Sequence, residues 1–160
     1  MKRYVSFFAL ALVGFIFIGT HNVLAQKKMK KEKVLWAAED LKWEPLKGAP
    51  PGSGVMGAVL WGNLEKGPFG ILNKFPAGFK TPLHYHSSDL KAVIIKGAYI
   101  YVSESGEEKR LGPGSYFFEP AKDQHETRGA EDSETIFYVE GSGKFDIIPV
   151  EMKEDEMKKK

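Results

Sequence analysis

Cysteine is absent from the 160 residues, so neither a disulfide nor a thiolate metal site can form. Histidine is scarce, with four in all, and one of these, His21, lies in an N-terminal stretch unlike the rest. Charge of one sign is not in excess: 23 Lys and Arg face 21 Asp and Glu, dispersed along the chain, which gives no electrostatic case for a nucleic-acid partner. The chain has no phosphate-cradling glycine loop, no Ser-His-Asp set at a useful spacing and no repeat long enough for a solenoid. Its one long apolar run, residues 5–19, is shorter than the roughly 20 residues that span a bilayer comfortably.

That run has a second reading. Met1-Lys2-Arg3-Tyr4 is a short basic start, residues 5–19 carry no charge, and Val23 and Ala25 are small residues placed where a signal peptidase accepts them. This layout predicts a secretory signal over residues 1–25, cleaved after Ala25, and hence a periplasmic or secreted protein with no stable membrane anchor. Cleavage removes Lys2 and Arg3 and no acidic residue, so the net charge falls from +2 to zero. Residues 26–54 then read as an extension and loop. Within them 34–46, with Trp36 and Trp43, suits a strand or short helix packed on the outside of the domain. Residues 151–160 read as a charged, flexible tail.

Between 55 and 150 the chain is a series of short strand-like runs broken by Gly, Pro, Asn and charged pairs. Strands are expected at 55–61, 69–75, 83–86, 90–96, 98–102, 115–119, 125–128, 135–140 and 145–148. Turn signals recur about every 8–12 residues, and no window sustains a helical period over three turns. The expected fold class is therefore all-β, one domain closed as a sandwich or barrel.

Without residues 1–25 the chain keeps three histidines: His84, His86 and His125. His84-Tyr85-His86 falls on a predicted strand, where alternation points both imidazoles to one face. Two imidazoles so placed can share one cation, and imidazole suits Zn, Fe, Ni or Cu. His-x-His alone is a weak sign, and packed or surface histidines are the plainer alternative. The surroundings change that balance. Gly78 precedes His84 by five intervening residues, Gly97 follows, and a second cluster holds Gly114, Pro120 and His125. These two clusters resemble the paired motifs of the cupin superfamily, and phrases such as Lys74-Phe-Pro-Ala-Gly78 and Gly112-Pro-Gly-Ser-Tyr-Phe117 are similar to ChrR-like cupins. The resemblance implies a single-domain jelly-roll barrel over 55–150, a divalent metal on His84, His86 and His125, and a small-molecule ligand or substrate. A homodimer is an expectation of the resemblance only. Zn, Fe, Ni and Mn are not distinguished by these residues.

The pattern also departs from the family. The family's motif Glu falls at Leu90, its second-motif Gly at Lys122 and its Asn at Gly129. Loss of the carboxylate at Leu90 leaves two stand-ins. Asp89 is one residue away but of the wrong parity for a regular strand, with a turn role as its alternative; Glu119 lies in the second motif. The default is three histidines with open coordination positions, as a catalytic metal requires. Some three-histidine cupins are iron(II) dioxygenases, so the resemblance implies a metal-dependent enzyme on a small organic substrate, dioxygenases included. The alternatives are a non-catalytic, sensor-like metal or small-molecule binding module and a barrel without metal. Tyr99, Tyr101, Tyr116, Phe117, Phe118, Phe137 and Phe145 would line a pocket or fill the core. Lys80, Lys91 and Lys96 are expected in solvent, and Gln124 at the pocket mouth.

Overall fold

A computed structural model describes residues 33–151. The predicted leader at 1–25, the start of the extension at 26–32 and nearly all of the predicted tail, 152–160, lie outside the described residues. Eleven strands follow one 3-10 turn at Ala38–Asp40: β1 Glu44–Pro45, β2 Met56–Gly62, β3 Phe69–Phe75, β4 His84–Tyr85, β5 Leu90–Lys96, β6 Tyr99–Ser103, β7 Glu108–Leu111, β8 Tyr116–Glu119, β9 His125–Gly129, β10 Thr135–Gly141 and β11 Ile148–Pro149. They form two antiparallel sheets. One runs β1-β2-β3-β10-β5-β8 and the other β11-β4-β9-β6-β7.

Alternation along the long strands builds the interior. On β3, β5 and β10 every second residue is buried, which sends Phe69, Ile71, Ala92, Ile94, Phe137 and Val139 inward. Tyr99 comes from the opposite sheet and packs edge-on against Phe137 at 5.2 Å, while Phe137 meets Phe75 at 4.8 Å. Burying each of the Phe, Ile and Val side chains contributes about 1.5–3 kcal/mol. Outward positions carry the ion pairs of Lys80, Lys91 and Lys96 with Glu131, Glu140 and Glu134.

Four sequence expectations are revised. The segment at 34–46 is neither a full strand nor a helix packed outside: β1 pairs with β2 for two residues and hands Leu46 into the core. Strand β7 was not expected, because Glu108-Lys-Arg-Leu111 is an exposed edge whose side chains carry no apolar alternation. The stretch 145–148 is strand only from Ile148, since Phe145 N–H donates to the Leu64 carbonyl (2.7 Å) instead of a ladder partner. Tyr116 and Phe118 face solvent, and only Phe117 between them turns inward.

Two turns deliver the functional strands. Gly97 joins β5 to β6 at φ +71°, and a Cβ there would lie 2.4 Å from the Glu134 carbonyl oxygen, so neither the backbone nor the space admits another residue. Lys122 adopts φ +70° without being glycine, held by its N–H to the His86 carbonyl (2.8 Å).

Candidate metal centre

The three histidines meet because β4 pairs with β9. The single rung between these strands is His84 opposite His125, and it brings their rings to 4.4 Å. Tyr85 turns away and His86 returns to the same face, with its ring 5.1 Å from that of His84. One ligating nitrogen from each of the three lies within 4.8 Å of the others. All three are buried, His125 completely.

Backbone carbonyls set the ring orientations. Nδ1 of His84 meets the Pro82 carbonyl at 2.9 Å, Nδ1 of His125 meets that of Asp123 at 3.2 Å, and Nδ1 of His86 meets that of Asp146. A carbonyl can only accept, so each Nδ1 carries the proton and each Nε2 keeps a lone pair. Nε2 of His125 has no partner and no exposure to solvent. Two neighbours steady these carbonyls. The Tyr101 ring stacks on His125 (5.4 Å, 13° between planes), and its hydroxyl donates to the Asp123 carboxylate at 2.6 Å. The Asp146 carboxylate accepts from the Ser87 N–H and hydroxyl at 2.8 and 2.6 Å. Neither Asp123 nor Asp146 stands out in the sequence, because both act through carbonyls that any residue carries.

Burial keeps the imidazoles neutral. It pushes His84 below its ordinary range, His86 down to about 4 and His125 down to about 3. Three neutral donors with converging lone pairs, one of them orphaned, fit a divalent cation.

The carboxylate is not where the family pattern puts it. Leu90 is buried in the core, and Asp89 is not brought to the histidines: it is exposed, and its carboxylate accepts the Ala121 N–H at 2.8 Å. It lies one residue before β5, on the side opposite to the inward Leu90, as parity requires. Glu119 is the acid beside the rings. It is 4% exposed, and its Oε1 lies 3.6 Å from His86 Nε2 and 3.4 Å from His125 Nδ1, with no hydrogen-bond partner. Burial, followed by the charge of Asp123, pushes its carboxyl up to about 8.

Beside this cluster runs a cavity of about 170 Å³, whose lining includes His84, His86, Glu119, Phe117, Phe137 and Phe145. Its walls are mostly apolar, and beyond the histidines and Glu119 they are interrupted by Thr81, Thr127, Tyr99 and Asn73. The Tyr99 hydroxyl is already paired with Thr127 Oγ1 at 2.8 Å. Asn73, 4% exposed, has an unpartnered Oδ1. Gln124 is half-buried and does not line the cavity.

The fold and the chain have relatives. The polyketide cyclase RemF from Streptomyces resistomycificus superposes with a TM-score of 0.63 at 18% identity, covering 79% of this chain and 89% of that one. An RmlC-like cupin from Ralstonia eutropha gives 0.57 at 23% identity, over 70% and 69% of the two chains. The structure of Rhodobacter sphaeroides SigE with the anti-sigma ChrR gives 0.51 at 23%, over 66% and 52%. The fold is thus that of a cupin. A DNA damage-repair/toleration protein of Arabidopsis thaliana, DRT102, is 34% identical over 86 residues, 53% of this chain; the chain spans only 27% of that relative's length. Residues 25–148 match the family described as a domain of unknown function, DUF4437.

Proposed function

We propose that this chain, which belongs to the DUF4437 family, is an exported metal-dependent enzyme acting on a small, largely apolar organic molecule. One observation carries the reading. Three buried imidazoles have their Nδ1 protons committed to carbonyls and their Nε2 lone pairs free beside an apolar cavity. His84, His86 and His125 would hold the cation. When bound, it would supply a Lewis acid able to polarise an oxygen of the substrate or to bind O₂. The chain's own residues do the rest. Phe117, Phe137 and Phe145 grip an apolar body and exclude water, and Asn73 offers a polar contact.

Among the cupin-fold neighbours, the polyketide cyclase is an enzyme, which supports catalysis without naming the reaction. A dioxygenase is the finer form of the proposal. Export rests on the basic start, the apolar run and the small residues up to Ala25; the family match begins at residue 25. Metal analysis of protein purified from its export route should find one first-row metal per chain, and His84→Ala should remove it. Finding no such metal in either protein would sink the reading. Oxygen uptake with a panel of diketones and phenols tests the dioxygenase form. The cupin fold shared with the anti-sigma ChrR favours a second reading, a non-catalytic metal sensor. A bound metal that stays inert towards the whole panel would support it.

A further inference from the structure

We infer that Glu119 supplies a carboxylate donor to this centre, reaching it from β8 in place of the donor that β5 lacks at Leu90. The inference rests on the three-histidine metal reading and extends it to a divalent first-row cation held by three nitrogens and one oxygen.

The ladder explains how the exchange works. Leu90 and Glu119 are Cα partners across the β5–β8 pairing. Directly opposed residues project from the same face of a sheet, with Cβ atoms about 4.5–5.5 Å apart. A carboxylate moved from position 90 to position 119 therefore enters the same space from the neighbouring strand. Leu90, freed of that task, joins the core cluster.

Glu119 stands at the His86 side of the cluster, outside the three histidines whose ligating nitrogens lie within 4.8 Å of one another, and its nearness to His86 and its isolation point to this role. Donors about 2.0–2.1 Å from one tetrahedral cation sit roughly 3.3 Å apart, and Glu119 Oε1 lies 3.6 Å from His86 Nε2. Its 3.4 Å approach to His125 is to Nδ1, whose proton is already given to the Asp123 carbonyl. Among the described residues no Lys or Arg pairs with Glu119; its only partners within ion-pair range are the rings of His86 and His125. A carboxyl oxygen buried without a hydrogen bond needs a cation or a proton. The other acids nearby are occupied: Asp89 accepts from Ala121 N–H, and Asp123 from the Tyr101 hydroxyl.

The test titrates the metal-free full chain with Co²⁺, reading affinity and the visible absorption bands that report coordination. Glu119→Gln, nearly the same size, should weaken binding about 10–100-fold and change the bands. Glu119→Asp should weaken it less, and it decides the matter if the Gln variant does not fold. The exchange Leu90→Glu with Glu119→Leu should bring affinity back to within about threefold of the wild type, since the carboxylate then stands across the same rung. Unchanged affinity and bands in the Gln variant, or in the Asp variant if Gln does not fold, overturn the inference while leaving the histidine site standing. Failure of the wild type itself to bind Co²⁺ overturns the histidine reading as well.

Discussion

The wall formed by β3, β10 and β5 and the corner where β4 meets β9 are built on opposite plans. In the wall, three seven-residue strands pair side by side and bury every second position, mostly with hydrocarbon; Asn73 and Thr135 are the polar exceptions. In the corner, a two-residue strand touches β9 through one rung, and the buried groups are imidazoles. The wall is held by area removed from water and by ladder hydrogen bonds. The corner is held by a few directed contacts: three carbonyls on three rings, one tyrosine ring, and Lys122 N–H tied to His86. Separating the two lets polar groups converge at the site while the core elsewhere stays mostly apolar, Asn73 apart.

This division can be broken from either side. The largest effect is expected in the wall: Phe137→Ala should cost about 3–5 kcal/mol of stability in a denaturant titration. The folded fraction should bind Co²⁺ nearly as before, and a parallel collapse of metal affinity would mean that wall and corner are one unit. His84→Ala should do the reverse. Co²⁺ affinity should fall at least about 100-fold, equivalent to about 2.7 kcal/mol, while the metal-free protein keeps its thermal midpoint within a few degrees. Thr135→Val probes a hydrogen-bonded polar group inside the wall. Thr135 Oγ1 donates to the Ala98 carbonyl (2.9 Å) and accepts from the Ala130 N–H (3.2 Å), so its loss should cost about 1–3 kcal/mol in the same titration.

Two smaller changes should stabilise. Asn73→Leu removes an unsatisfied buried oxygen from the wall and should raise stability by up to about 1 kcal/mol. The wild type should bind phenol more tightly than toluene in calorimetry and this variant should not; the same preference in both would deny Asn73 a place in recognition. Lys122→Gly relaxes the left-handed turn next to the corner and should add about 0.5–1 kcal/mol, read as a higher Tm.

The wall was the more legible region. The bounds of β3 and β5 follow from their apolar runs and flanking turn residues, because period-two burial is written directly into composition. The histidines were legible through their spacing within two motifs. What spacing could not supply was register. Asp89 and Glu119 both stood near the gap at Leu90, and only the β5–β8 pairing shows that Glu119 faces it. Asn73 did leave a signal: it shares parity with Phe69, Ile71 and Phe75 on one strand, which marks it as an interior amide. The carbonyls of Pro82, Asp123 and Asp146 left none, since backbone oxygens are common to every residue.

Among the described residues strand β8 ends its sheet, with β5 on one side and no strand on the other. Its alignment is fixed by four rungs and by two hydrogen bonds at its start, Gly114 N–H to the Ile94 carbonyl (2.8 Å) and Ile94 N–H to that of Ser115 (3.0 Å). A slip of one residue would turn Phe118 inward and Glu119 to solvent. The acid beside the histidines is thus governed by how a border strand is threaded. A change at Gly114, which bends the chain at φ +83° just before β8, would alter the chemistry of the pocket without contacting any group in it.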